Sequence, residues 1–117
     1  MKLLVHIATG PENPTRLALG LLVARTALAE GHEVDVFLAG DGVDTLRQET
    51  RDALQGIGTG SAAEHWAALR DGGARLFASG LSSKARGVGS GDAEGVQLAP
   101  PDVLVRLIAE ADRVISY

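Results

Sequence analysis

The run Leu3-Leu4-Val5-His6-Ile7-Ala8 constrains the fold more than any other segment. It is a near-continuous apolar stretch, the pattern of a strand covered on both faces rather than one. Such a strand belongs in the middle of a parallel sheet, and parallel neighbours must be joined by long crossovers, usually helices. The remaining sequence supplies that alternation. Strand-like runs recur at 32–38, 74–78, 95–98 and 113–116, and helical runs at 14–30, near 43–48, at 62–71 and at 101–110 lie between them. The expected fold class is α/β: a three-layer α/β/α sandwich with a mostly parallel five-stranded sheet, right-handed crossovers and one domain over residues 1–117.

Start and stop signals support the helices. Asn13 precedes Pro14, so a side-chain acceptor meets the free N–H groups of a first turn whose leading residue has none to lose. Gly31 follows as a C-terminal cap. Ser61 and Glu64 form a capping box, closed downstream by Gly72-Gly73, and Pro100-Pro101-Asp102 opens the last helix. The segments 49–60 and 88–95, rich in glycine and charge, are expected to be the least ordered.

The first helix, TRLALGLLVARTALAEG, is apolar nearly all round. Its only charges before the end are Arg16 and Arg25, about 180° apart on the wheel, so it has no broad polar face. One side packs on the sheet, and the other is expected to be buried against another subunit.

Several function classes drop out on composition. Only 3% of residues are aromatic, so the core is aliphatic. The net charge of −4 comes without any basic stripe, which argues against nucleic acid and against an acidic membrane surface. No run approaches the roughly 20 uncharged apolar residues of a membrane span. The chain reads as cytoplasmic. With no cysteine there is no disulfide, thiolate metal site or thiol nucleophile. His6, His32 and His65 lack metal-ligand spacing, so neither metal nor cofactor is expected. His6 reads as a hydrogen-bonded core residue, and the other two as lying at element surfaces.

In open parallel sheets ligands bind beyond the carboxyl ends of strands. Three segments converge there: Thr9 to Arg16, Ala39 to Asp44 and Ser79 to Gly87. The first brings Gly10, Asn13 and Arg16 to a helix start whose N–H groups favour anions, but without the glycine pattern and lysine of a phosphate loop. The third, SGLSSKARG, gathers Ser79, Ser82, Ser83, Lys84 and Arg86 immediately after a strand. It either starts a short helix at Ser82 or Ser83 and aims N–H groups and two cations at an anion, or merely turns a capped corner. Spacing leaves these readings even. Gln55 to Ser61, QGIGTGS, lacks the strand before it and the acidic residue after it that a nucleotide loop needs, and reads as a connector. There is no GxSxG elbow and no catalytic residue to assign, so a serine hydrolase is the weakest alternative.

Five segments in order, GPENPTR (10–16), AEGHEVDVFLAGD (29–41), QGIGTGS (55–61), SGLSSKARGV (79–88) and ADRVISY (111–117), resemble the DsrE/DsrF-like family, relatives of YchN-like and sulfur-relay proteins. The resemblance spans essentially the whole chain. It implies an α/β/α sandwich assembled into trimers or hexamers. In sulfur-transferring members it also implies a cysteine after this strand that carries a persulfide to a partner. The ARG segment aligns those cysteine positions with Ser79 and Ser82. A hydroxyl cannot hold a transferable sulfane sulfur, because the exchange needs a thiolate nucleophile and leaving group. The expectation is therefore a homo-oligomeric, non-redox member whose two loops bind a small anionic ligand or a protein partner. The alternative is a non-catalytic accessory subunit of a sulfur-relay complex.

Overall fold

Residues Lys2–Ile7 form β1, and its neighbours explain its composition. β2 (Glu33–Leu38) pairs with it on one side and β7 (Arg113–Ser116) on the other, both parallel. The computed structural model describes residues 1–117, apart from the side chain of Ser90. Its main sheet has the order β6-β5-β2-β1-β7, with β5 spanning Arg75–Ser79 and β6 Val96–Ala99, and every pairing is parallel. An apolar strand with a layer on each side needs side chains of the same kind on both faces, which is why Leu3 to Ile7 does not alternate with polar residues.

The two faces are covered unequally. Helix α1 (Pro14–Ala29) and helix α3 (Ala62–Asp71) close one face over a large cluster that includes Val5, Ile7, Val36, Leu17, Leu21 and Trp66. The other face carries a smaller cluster, Leu4, Phe37, Phe77, Ala99 and Leu107, beneath α5 (Pro101–Glu110). α5 crosses that face because β6 and β7 are opposite edges of the sheet.

Helix starts and the last strand lie as expected. The Asn13 carboxamide accepts the Arg16 N–H at 3.1 Å, and the Ser61 hydroxyl accepts the Glu64 N–H at 3.2 Å. The segment 49–60 differs from expectation. A 3₁₀ turn over Gly40–Leu46 leads into α2 (Gln48–Ala53), and a tight hairpin follows, β3 (Gln55–Gly56) against β4 (Gly60–Ser61). Long-range contacts hold it: Ile57 N–H donates to the Thr15 hydroxyl, and the Thr59 hydroxyl donates to the Thr15 carbonyl.

The side of α1 expected to meet another subunit meets this chain instead. α3 and the β3–β4 hairpin pack along it, and none of its leucines or valines is exposed. An all-round apolar helix therefore follows from its place between sheet and helix, and carries no argument for assembly. His65 is also corrected: it is buried, its ring nitrogens within hydrogen-bond distance of Arg25 Nη1 (3.2 Å) and the Thr59 carbonyl (2.7 Å). His6 is half-buried with its ring edge toward Phe37, and its Nε2 has no hydrogen-bond partner among the described residues. Burial pushes its pKa below the ordinary value of 6.5.

Candidate functional site

β5 ends at Ser79, and α4 (Gly80–Ala85) begins at the next residue. The Ser79 hydroxyl accepts the Ser82 N–H at 3.1 Å, so Ser79 caps the helix, one turn earlier than the Ser82 or Ser83 start expected from the sequence. A hydroxyl does this well because it supplies the acceptor that the first free N–H groups of a helix lack. The Ser82 hydroxyl accepts the Gly40 N–H at 3.0 Å, tying α4 to the turn after β2.

Arg86 folds back over the same junction. Nη1 donates to the Ser82 carbonyl at 3.1 Å and Nη2 to Asp41 Oδ1 at 2.9 Å. Arg47, itself paired with Asp44, donates to the Arg86 carbonyl at 2.6 Å. From the other side the loop after β1 closes against the same turn. A Cβ on Gly10 would collide with the Asp41 carbonyl, and the Gly10 N–H donates to Glu12 Oε1 at 2.7 Å. Gly42 lies as tightly on the Ile7 carbonyl.

These contacts enclose a crevice of about 350 Å³ lined by Pro11, Glu12, Asp41, Asp44 and Arg86. Of its three carboxylates, Asp41 is paired with Arg86 and Asp44 with Arg47, and Glu12, which accepts the Gly10 N–H, has no cation partner among the described residues. Charge complementarity in such a hollow favours a cationic or hydrogen-bond-donating group over an anion. Beyond Pro11, which borders both hollows, lies an open groove of about 490 Å³ whose walls are mainly Pro11, Pro14, Ala53 and Leu54, with Glu49 among them.

The expected site residues divide. Gly10, Ser79, Ser82 and Arg86 come together around the turn after β2. Ser83 is fully buried, with its hydroxyl unpartnered among the described residues, and it does not line the crevice. Asn13 serves α1 as its cap, while the side chains of Arg16 and Lys84 lie in solvent. Glu12, Asp41 and Asp44 were not singled out from sequence. The legible signal was Gly40-Asp41-Gly42 directly after β2, an acid held between two glycines at the strand end where ligands bind. A serine nucleophile finds no base, since no histidine hydrogen-bonds Ser79 or Ser82 among the described residues.

A parallel five-stranded α/β/α domain with a polar crevice among the loops after β1, β2 and β5 defines a class of small three-layer sandwich proteins. The DsrE/DsrF-like family model matches residues 1–117, and the chain belongs to this family. Curated relatives include an uncharacterized protein of Methanopyrus kandleri, 36% identical over 115 residues, covering 97% of this chain and 91% of that one. Another, from Methanocaldococcus jannaschii, is 31% identical over 121 residues and covers all of both chains. Among solved structures, the crystal structure of the YchN protein of E. coli superposes with a TM-score of 0.83 over all of both chains at 17% identity, a likeness of fold.

Proposed function

We propose that the chain is a homo-oligomeric binding module of the DsrE family, without persulfide chemistry, whose crevice beyond β1, β2 and β5 receives a positively charged group of a small ligand or protein partner. The observation that carries this reading is Glu12, a crevice carboxylate with no cation partner among the described residues, beside the Arg86–Asp41 and Arg47–Asp44 pairs. The anionic ligand expected from the loop's two cations loses its main anchor, because Arg86 is already compensated and Lys84 lies in solvent. The chain contains no cysteine, so it offers no thiolate to carry sulfur. The Ser79 and Ser82 hydroxyls beside the crevice accept backbone N–H groups and serve as scaffold rather than nucleophile.

Thermal shift against a panel of organic cations (arginine amide, lysine amide, spermidine) and anions (phosphate, sulfate, acetate) tests the reading. A ligand at 100 times its Kd stabilises the native state by about 2.7 kcal/mol, a readily measured rise in Tm. The expected outcome is stabilisation by a cation in the wild type that is lost in Asp41→Asn. Stabilisation by phosphate or sulfate that disappears in Arg86→Ala would overturn the polarity assigned here and return the anion reading.

A further inference from the structure

We infer that the crevice and the groove beside it form one elongated site for a linear aliphatic diamine, with one ammonium at Glu12, the methylene chain along the apolar wall and the second ammonium at Glu49. This names the ligand class for the cation-binding crevice proposed above and rests on that reading.

The two hollows meet at one residue. Pro11 lines both the crevice of about 350 Å³ and the groove of about 490 Å³, and each is of the size that small-molecule sites have. The groove contributes a mainly apolar wall, Pro11, Pro14, Ala53 and Leu54. A methylene chain lies on such a wall without stranding a polar group, whereas the ammonium groups it carries need acceptors.

Those acceptors are left over when every charge around the two hollows is counted. The linings hold four carboxylates, Glu12, Asp41, Asp44 and Glu49. Asp41 is paired with Arg86 and Asp44 with Arg47. Glu12 and Glu49 have no cation partner among the described residues. The remaining arginines of these segments are placed elsewhere. Arg16 lies in solvent and lines neither hollow, and Arg51 stacks on Trp66 and donates to the Thr45 and Leu46 carbonyls. One uncompensated carboxylate therefore stands in each hollow.

Both carboxylates sit on ordered elements. Glu12 Oε1 accepts the Gly10 N–H at 2.7 Å, which fixes the side chain and leaves Oε2 for a ligand, and Glu49 stands in the first turn of α2. A monoamine would match one of the two charges and leave the other unmatched, and an alkyl carboxylate would be repelled by both. Two ammonium groups on one aliphatic chain match both carboxylates and the apolar wall at once.

Amide NMR titration of the full chain at physiological ionic strength tests this, comparing α,ω-diaminoalkanes from ethylenediamine to octamethylenediamine with n-alkylamines of the same length. One diamine length is expected to bind best, about two- to fivefold tighter than its monoamine, the worth of an exposed ion pair. Its amide shifts should centre on the loop after β1 and the start of α2. Glu12→Gln, whose amide oxygen can still accept the Gly10 N–H, and Glu49→Gln should each bring that diamine down to the affinity of the monoamine. Glu30→Gln, at the far end of α1, changes the net charge equally and should leave binding as it is. Equal binding of diamine and monoamine, a loss in only one of the Glu12 and Glu49 variants, or an affinity that climbs with length without an optimum overturns the diamine while the cation reading of the crevice stands. No binding by any amine, losses in none of the variants, or equal losses in all three overturns both.

Discussion

A hydroxyl at Ser79 keeps the turn that opens α4 and removes the chemistry a thiol would bring. The cap needs a short side chain with an acceptor oxygen, which serine supplies; sulfur exchange needs a thiolate, which serine cannot become. Ser82 repeats the pattern by anchoring the Gly40 N–H. His6 is the residue whose environment sets a pH dependence. Burial lowers its folded-state pKa, so near the ordinary value of 6.5 the unfolded chain binds more protons than the folded one. Its contribution is therefore present at neutral pH and is lost as pH falls below 6.5 toward the depressed folded value. Urea unfolding between about pH 7.5 and 5 should show the wild type losing more stability than His6→Phe, which keeps a ring beside Phe37. Parallel losses in the two proteins would remove His6 as the cause.

Among the elements, the loops rather than the helices hold the site to tolerance. The loop after β1 touches the turn after β2 through Gly10, where a methyl group has no space because the obstacle is the Asp41 backbone carbonyl and not a movable side-chain tip. Gly10→Ala should cost about 1–3 kcal/mol in denaturant unfolding, as overpacking of a close contact does, and should reduce any ligand-induced Tm shift. A change below a few tenths of a kcal/mol would mean that the loop is free to move away. Gly10 stands in the sequence as one glycine among 15, and its role is not legible there. Capping is different: Asn13 and Ser61 were readable because cap and helix lie three residues apart, and local spacing is what a linear sequence displays. The character of α1 was readable but its cause was not. A helix apolar on every side looks the same whether its second side meets another chain or, as here, α3 and a hairpin from further along its own chain.

For the molecule as a whole, the unequal division of the core matters most. One face of the sheet rests under α1 and α3 with a large cluster, and the other rests under α5 with five buried residues. Leu107 is the only buried residue that α5 gives to that smaller cluster, with Val103 and Leu104 half-buried beside it. Leu107→Ala should cost about 2–5 kcal/mol. Hydrogen exchange should accelerate first in α5 and β7, with α1 and α3 still protected, since local opening follows the least buried unit. Uniform acceleration along the chain would show that the two clusters open together. No helix among the described residues is long and apolar enough to cross a membrane.

What the sequence determined by itself is the set of features written in short-range pattern: the strands and helices from their periodicity, most of the helix starts from their caps, the α/β class from the alternation, and the exclusion of thiol chemistry from the missing cysteine. The tertiary structure decided what depends on residues far apart in the chain: that Arg86 turns onto Asp41, 45 positions away; that Glu12 and Asp44 join them in one crevice; and that the hairpin covers α1. The physical reason is that a side chain's charge and shape are local properties, whereas the partner that compensates or covers it is set by strand order and loop closure.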